Sequence, residues 1–571
     1  MIVGIDLGTT NSLVAVWQDG HAVIIPNSLG HHLTPSCVSL DDNGDVLVGL
    51  AARDRMLSHP SQTAALFKRY MGTQHEVRLG KRVFRPEELS SLILKSLKAD
   101  AEHYLGQPVT EAIITVPAYF NDVQRKATKL AGELAGLKVE RLLNEPTAAA
   151  LAYGLHQGGD DSQFLVLDLG GGTFDISILE MFSGVMEVRA TAGDNHLGGE
   201  DFVDALVQAF LDREATKAAI KRDKLQPHQM ALLNSEAERV KRELTSSEQA
   251  MFRYVDGDTS LEWTVDNAEF EKITAPLLKR LREPVERAMR DAGLRVADLQ
   301  EIVLVGGATR MPIVHRLVAK MMGRFPRRDV HPDEAIVIGA AVQAGLKMQD
   351  AALDDVVMTD VCPYTLGVEV AEKNNLGQYR HGIFLPVIER NTVIPASRSH
   401  PISPLNDEQK VVALRIFQGE SREVKDNVLL GSLDVTLPSA KESNGWRDVD
   451  VRFTYDLNGL IEVEATVLAT QQRYALVIEQ TPGAMTTQEI AHSLEKLANL
   501  KISPREQAEN KALLARLGRL YQQMLGQERQ IVSDWTRVFE NALETQEPRA
   551  IQQVREQLSG YADQLEGRPV L

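Results

Sequence analysis

The chain opens with short apolar runs separated by longer amphipathic stretches. Ile2–Ile5, Ala112–Val116, Phe164–Leu167 and Ile302–Val305 read as buried strands, because their apolar residues run on without alternating. Between them, Pro86–Leu105 and Asp122–Ala135 repeat apolar residues at helical spacing. That rhythm predicts a mostly buried α/β architecture over residues 1–352. Near Asp354 the texture changes. From Val411 onward apolar and polar residues alternate, as in Val449-Asp-Val-Arg-Phe-Thr-Tyr455 and Ile461-Glu-Val-Glu-Ala465, which is the period of half-buried antiparallel strands. Asn458-Gly459 between these two predicts a type I′ hairpin, since both central positions of that turn need positive φ. A third texture starts at Pro482-Gly483. Thr486-x-x-Glu489 and Ser503-Pro-x-Glu506 have the form of capping boxes. Leu513, Leu514, Leu517, Leu520, Tyr521 and Met524 then fall on one helical face, and Pro548 separates two later helices. The expected division is therefore an α/β domain over 1–352, a linker over 353–362, a β domain over 363–482 and a helical element over 483–571.

Composition narrows the function classes. A chain of 571 residues exceeds what one hydrophobic core organises. Apolar residues at 43% and charged residues at 25% exclude wholesale disorder. The net charge of −17 argues against a nucleic-acid partner held by phosphate contacts. Cys37 and Cys362 are the only cysteines, which excludes a disulfide framework and disfavours a zinc cluster. No run of about 18 apolar residues occurs, and Asp6 interrupts any signal-peptide core. A cytoplasmic protein with no membrane partner is the expectation.

Two strands end alike. Val3-Gly-Ile-Asp6-Leu-Gly-Thr-Thr10 and Val166-Leu-Asp168-Leu-Gly-Gly-Gly-Thr173 each run from an apolar strand through Asp and Leu to Gly and Thr, 162 residues apart. The spacing is too long for a solenoid and predicts a duplicated lobe with a cleft between the copies. An Asp at a strand end can hold the waters of a Mg²⁺ ion. The glycines let backbone N–H groups approach phosphate oxygens, and the threonines add donors. One such loop alone reads as a turn; two matched copies read as a phosphate grip. Val303-Leu-Val-Gly306-Gly307-Ala308-Thr-Arg310 ends a third strand in paired glycines and suits close approach by a nucleoside. A P-loop nucleotide fold is disfavoured because no Walker A pattern occurs.

Five motifs together carry a resemblance. Ile5-Asp-Leu-Gly-Thr-Thr-Asn-Ser12, Val116-Pro-Ala-Tyr-Phe-Asn-Asp122, Asn144-Glu-Pro-Thr-Ala-Ala-Ala150, Asp168-Leu-Gly-Gly-Gly-Thr-Phe-Asp175 and Leu197-Gly-Gly-Glu-Asp-Phe202 are similar to those of the DnaK-type heat-shock chaperone family. The short overall form most resembles that family's specialised HscC branch. The resemblance implies an actin-like α/β ATPase domain with duplicated lobes, a β-sandwich peptide-binding domain and a short α-helical lid. It implies ATP or ADP with Mg²⁺, and K⁺ as a candidate second ion.

Carried over position by position, the resemblance gives Lys68, Glu145, Thr173 and Asp175 to hydrolysis, and gives Asp6 and Asp168 to the metal through its waters. It gives Gly8, Thr9, Thr10, Asn11, Gly170, Gly171, Gly172, Gly198, Gly199, Glu200, Gly306, Gly307, Ala308 and Asp333 to nucleotide binding. Glu238, Lys241, Arg242 and Thr245 resemble the adenosine clamp, with Arg242 and Arg310 on either side of the purine; spacings of three and four put the first three of these on one helix face. Pro117, Arg125 and Asp360 match the switch that couples nucleotide state to the linker, and Arg141 and Asn144 match positions touched by J-domain cochaperones. Val368, Ile402, Val412, Leu414 and Val449 match the apolar peptide pocket, and Ala371 and Leu405 the arch over it; by pattern alone these are equally plain sheet core.

The departures shape further expectations. The linker has Thr359 where the family has an apolar residue, which predicts weaker docking. Glu372–Arg380 is a polar insertion near the pocket rim. The stretches between Met71 and Pro108 and between Ser247 and Ala268 are shortened; the second makes a GrpE-type exchange partner doubtful, and the short lid predicts faster loss of extended client peptides. Two other readings compete: a small-molecule kinase on the same fold, and a nucleotide-gated scaffold without turnover. Everything after Asp360 serves a sugar kinase nothing. Lys68, Asp168 and Thr173 all being present argues against the scaffold.

Overall fold

The computed structural model describes residues 1–154, 162–182, 185–213, 222–327, 331–350, 353, 357–373, 378–439, 447–456, 459–478 and 504–566. The chain forms two compact units. The first comprises 1–367 with 389–394 and 417–430, and the second 368–388, 395–416 and 431–571.

Two sheets of the same plan make the first unit. In one, Ile2–Asp6 lies parallel to Glu111–Val116 and antiparallel to Asn11–Gln18; His21–Ile25 and Lys138–Asn144 flank them. In the other, Ser162–Leu169 lies parallel to Glu301–Val305 and antiparallel to Phe174–Phe182, which pairs with Val185–Asp194. Every residue of Ile2–Asp6 is buried, as a central strand covered on both faces requires. Each central strand carries the aspartate of one copy of the repeated motif at its end, Asp6 as the last residue of the first and Asp168 as the penultimate residue of the second. The strand order therefore reproduces the internal repeat in three dimensions.

Helix Ala335–Lys347 packs against the first sheet and against helix Glu145–Gly154. Close approach there depends on absent side chains. A Cβ added at Gly4 would lie 2.4 Å from the Ala340 carbonyl carbon, and one at Gly339 would lie 1.7 Å from the Ala148 oxygen. The second sheet extends further through Val357–Val361, parallel to Val185–Asp194 with Val185 opposite Val357, and then through Val393–Ile394.

Two four-stranded sheets form the β part. One orders Tyr379–Ile388, Leu366–Lys373, Val411–Gln418 and Val428–Thr436; the other orders Ala396–Ile402, Val449–Tyr455, Ile461–Val467 and Gln472–Ile478. Alternation holds: Leu414 and Ile416 are buried while Val411, Ala413 and Arg415 are exposed. The hairpin expected at Asn458-Gly459 closes differently. Asp456 N–H donates to the Leu460 oxygen at 3.0 Å, leaving a three-residue loop with Gly459 at φ +85°. The register sets Tyr455 opposite Ile461, wider than a two-residue turn allows; Asn458, on which the expected turn falls, lies outside the described residues.

Helices Ala508–Gln523, Gly526–Thr545 and Pro548–Glu566 bury Leu513, Leu517, Leu520, Phe539, Leu543 and Leu558 in a common core. Tyr521 was expected on that face but is exposed. It sits one position off the 513–517–520–524 stripe, and the Arg529 guanidinium lies 5.3 Å from its ring centre. The capping boxes at Thr486 and Ser503, the junction at Pro482, the N-terminal part of the linker and residues 374–377 of the polar insertion lie outside the described residues.

Candidate functional site

The two repeated loops face each other across a cleft of about 420 Å³ in the first unit. The first loop is stapled from below. The Gly8 N–H donates to Ser12 Oγ at 3.2 Å, and Ser36 Oγ donates to the Gly8 oxygen at 2.7 Å. The second loop is braced by the helix that follows it. The Gly199 and Glu200 N–H groups donate to the Gly170 and Gly171 oxygens, each at 2.9 Å. Approach between the loops is close enough that a Cβ on Gly171 would lie 1.8 Å from Thr10 Oγ1. That buried hydroxyl has no hydrogen-bond partner among the described residues.

Acidic side chains crowd the floor. Asp6, Glu145 and Asp168 line the cleft with Lys68, whose Nζ donates to Glu145 Oε1 at 2.8 Å. The ammonium also lies 5.7 Å from the Phe120 ring centre. Burial, then the Glu145 carboxylate, pushes Asp6 up to about 7, with Lys68 pulling it back. Asp168 is raised well above the usual carboxylate range by burial and by Glu145, Asp175 and Asp6. Asp175 reaches about 8 through burial and Glu145. One lysine thus faces four buried carboxylates.

A cation fits this donor set. Asp168 Oδ2 is buried without a hydrogen-bond partner among the described residues. Among the described residues, no three His, Cys, Asp or Glu side chains converge tightly enough to hold a metal ion directly. Carboxylates spaced this way suit an ion that keeps its own waters, as Mg²⁺ does.

Most of the residues singled out in the sequence converge here. Gly8, Thr9, Thr10, Asn11, Gly170, Gly171, Thr173, Gly199, Glu200, Gly306, Gly307, Ala308 and Asp333 line the cleft with the residues above. So do Glu238, Lys241, Arg242, Thr245 and Arg310. Helix Pro227–Glu243 carries Glu238, whose Oε1 accepts a hydrogen bond from Arg242 Nε at 2.5 Å and whose Oε2 forms an ion pair with Lys241 Nζ at 2.5 Å. Lys241 also donates to the Gly199 oxygen at 3.1 Å. Arg310 donates to Asp333 Oδ2 at 2.6 Å, so both arginines stand at the cleft, each held by a carboxylate.

Three expected residues stand behind the lining. Gly172 is wedged between loops, since a Cβ there would lie 2.8 Å from both Thr9 Cγ2 and Arg69 Cγ. Gly198 packs on the loop backbone, 2.4 Å from the Gly171 oxygen by the same measure. Asp175 is buried and accepts the Tyr119 N–H on Oδ1 at 3.1 Å. Sequence reasoning missed the apolar lining of Leu13, Leu33, Met311, Pro332 and Ile336. Only the adjacency of Met311 to Arg310 hinted at it.

A family model described as Hsp70 protein matches residues 2–78 and 73–567, nearly the whole chain. The chain belongs to the Hsp70 family. Members of the family are ATP-dependent chaperones that bind ATP with Mg²⁺, hydrolyse it, hold client peptides and work with J-domain cochaperones. No helix among the described residues is long and apolar enough to cross a membrane.

In this Hsp70 chain a buried polar path runs from the cleft to the strand Val357–Val361. Asn144, next to Glu145, donates through Nδ2 to both Asp360 oxygens at 3.2 and 3.1 Å. Arg125 donates to Asn144 Oδ1 at 2.6 Å and to the Phe120 and Ala118 oxygens at 2.9 and 3.1 Å. That ties it to the turn after Pro117. Burial raises Asp360, and Arg141 lowers it. Asn144 is therefore spent inside the protein, while Arg141 is half-buried and donates to Gln343 Oε1 at 3.0 Å.

Of the residues assigned to a peptide pocket, Val368, Leu414 and Val449 are fully buried, and Ala371, Ile402, Leu405 and Val412 are half-buried. Val368, Ala371, Val412 and Leu414 belong to one sheet; Ile402 and Val449 pair directly across the other. Leu405 lies in a loop held by Tyr379, whose hydroxyl donates to its oxygen at 2.9 Å.

The carboxylate cluster makes a signed prediction. Asp6 and Asp175 keep protons in the folded state that the unfolded chain releases above about 3.8. Their stabilising contribution is complete below that pH and is lost as pH rises through 7 to 8. In EDTA, the urea midpoint of the ligand-free protein should fall between pH 5 and 8, and Asp175→Asn should flatten the fall. Stability that rises over this range would contradict the argument.

Proposed function

We propose that this chain is an ATP-switched chaperone of the HscC type, which holds extended apolar peptide segments in its β part and releases them when ATP binds. The observation that carries the reading is the pairing of the two acidic–glycine loops across one cleft, with Lys68 among four carboxylates. In this reading Asp6 and Asp168 hold Mg²⁺ through its waters, and Gly8–Asn11 with Gly170, Gly171 and Thr173 cradle the phosphates. The ion, when bound, neutralises phosphate charge. Lys68 neutralises the γ-phosphate and positions the attacking water, while Glu145 and Asp175 orient that water from buried positions. Glu238, Lys241, Arg242, Thr245 and Arg310 bind the nucleoside, with Gly306–Ala308 and Asp333 behind it.

Residues 1–352 serve as the ATPase domain in this proposal, 353–362 as the linker, 363–482 as the client domain and 483–571 as its lid. Val368, Ile402, Val412, Leu414 and Val449 take an apolar client side chain under Ala371 and Leu405, and sheet edges supply backbone hydrogen bonds. Pro117, Arg125 and Asp360 carry the signal between sites. A J-domain protein acts as partner, and a GrpE-type exchange factor is dispensable.

Two experiments test this. In single turnover, Lys68→Ala should bind ATP yet hydrolyse it about 100-fold more slowly, as loss of a pre-placed charge in a dry site implies. A fluorescent Leu-rich peptide should leave the wild-type protein at least about tenfold faster with ATP than with ADP, the size of a modest coupling energy. Equal peptide off-rates in the two nucleotides, or phosphoryl transfer to a sugar, would reject the chaperone reading.

Linker docking adds a prediction of its own. Thr359 Oγ1 is buried without a hydrogen-bond partner, which costs about 1–3 kcal/mol against an apolar side chain of the same shape. Thr359→Val should therefore tighten docking and slow protease cleavage near residue 356. Faster cleavage in the variant would show that the hydroxyl is not a liability.

A further inference from the structure

We propose that Arg69 is a positioning residue for hydrolysis: it ties the turn carrying Lys68 to the second phosphate loop, so that cleft closure sets Lys68 in place. This rests on the ATP-hydrolysing reading above and adds to it a residue that the nucleotide contacts do not include.

Lys68 and Arg69 are neighbours in the 3₁₀ turn Phe67–Tyr70, which starts after Leu66 at φ +61°. A left-handed leucine is uncommon and marks a turn held by its surroundings. The two side chains leave the turn to different partners. Lys68 reaches Glu145 in the cleft. Arg69 donates from one terminal nitrogen to both Asp201 oxygens at 3.1 Å and to the His196 oxygen at 3.1 Å. Its stem abuts the second loop, where a Cβ on Gly172 would lie 2.8 Å from Arg69 Cγ.

Asp201 is itself fixed to that loop. Its Oδ2 accepts the Gly198 N–H at 2.8 Å. It sits in the first turn of helix Gly199–Arg213, whose leading N–H groups hold the Gly170 and Gly171 oxygens. Phe67 packs in the core with Val3, Ile5 and Leu7, whereas Phe202 packs in a different core with Leu165 and Leu167. The Arg69–Asp201 pair therefore crosses from one lobe's core to the other. With side chains only 19% and 21% exposed, it is sheltered from the screening that weakens surface pairs. When the lobes close, this bond fixes the turn against the loop, and Lys68 arrives with its backbone already anchored. When they part, Lys68 loses its register with Thr173 and Gly171.

Steady-state ATPase and mant-ADP affinity of wild type, Arg69→Gln, Asp201→Asn, the double variant and Arg69→Lys test the proposal. Arg69→Gln should lower kcat about tenfold with KM and ADP affinity within about threefold, because misplacement of a reacting group costs rate more than binding. Asp201→Asn should lower kcat similarly, the double variant should be no slower than either single, and Arg69→Lys should recover part of the loss. The proposal is overturned if both single variants keep kcat within about twofold of wild type, or if the losses multiply in the double variant. A kcat that falls only in proportion to the folded fraction, read by near-UV circular dichroism in both Asp201→Asn and Arg69→Lys, also overturns it. Wild-type protein without ATPase activity sinks the functional reading itself, whereas active wild type with indifferent variants sinks only the role of Arg69.

Discussion

Buried negative charge organises the first unit. Asp6, Glu145, Asp168 and Asp175 are buried around Lys68 at the base of the cleft, and burial with mutual repulsion holds three of them far above the ordinary carboxylate range. Such a cluster costs folding free energy unless something positive enters it. Stability has thus been given up where a hydrated cation and a charged ligand would restore it, and perturbed acids of this kind collect at functional sites.

The backbone around the cluster is arranged to bring that ligand close. Gly171 faces Thr10, Gly172 separates Thr9 from Arg69, and Gly198 rests on the peptide between Gly171 and Gly172. Each contact leaves no room for a Cβ, so the backbone of the second loop lies directly against the Thr9 and Thr10 side chains of the first. The same residues lead outward. Asn144, the last residue of the strand Lys138–Asn144 and next to Glu145, binds Asp360, and the Tyr119 N–H binds Asp175. A continuous buried polar path thus joins the cleft wall to the strand Val357–Val361, the path through which the proposed coupling would run.

Much of this was legible in the sequence, for identifiable reasons. Continuous apolar runs marked Ile2–Asp6 and Ser162–Leu169 because both strands are covered on two faces, and the repeated Asp-Leu-Gly motif marked their ends. Helix Pro86–Leu105 was bounded by its own proline and the following Gly106. Fine geometry escaped. Asn458-Gly459 looked like a two-residue turn, yet the register between Tyr455 and Ile461 needed a longer loop. Gly172, Gly198 and Asp175 belong to the right motifs but stand behind the lining, a difference set by tertiary packing against Thr9, the Gly171 backbone and the Tyr119 N–H respectively. Ile336 and Leu13 line the cleft through tertiary placement alone. The peptide-pocket residues show where pattern reading stops, since an apolar residue that faces inward is the same in sequence whether it meets a core or a guest.

The most direct test of the account is calorimetric titration of the purified chain with ADP at millimolar Mg²⁺ and again in EDTA. The account predicts one saturable site, weakened at least about tenfold when the divalent ion is removed, because the carboxylates then repel the phosphates unscreened. Absence of binding heat with Mg²⁺ present, or the same affinity in EDTA, would contradict it.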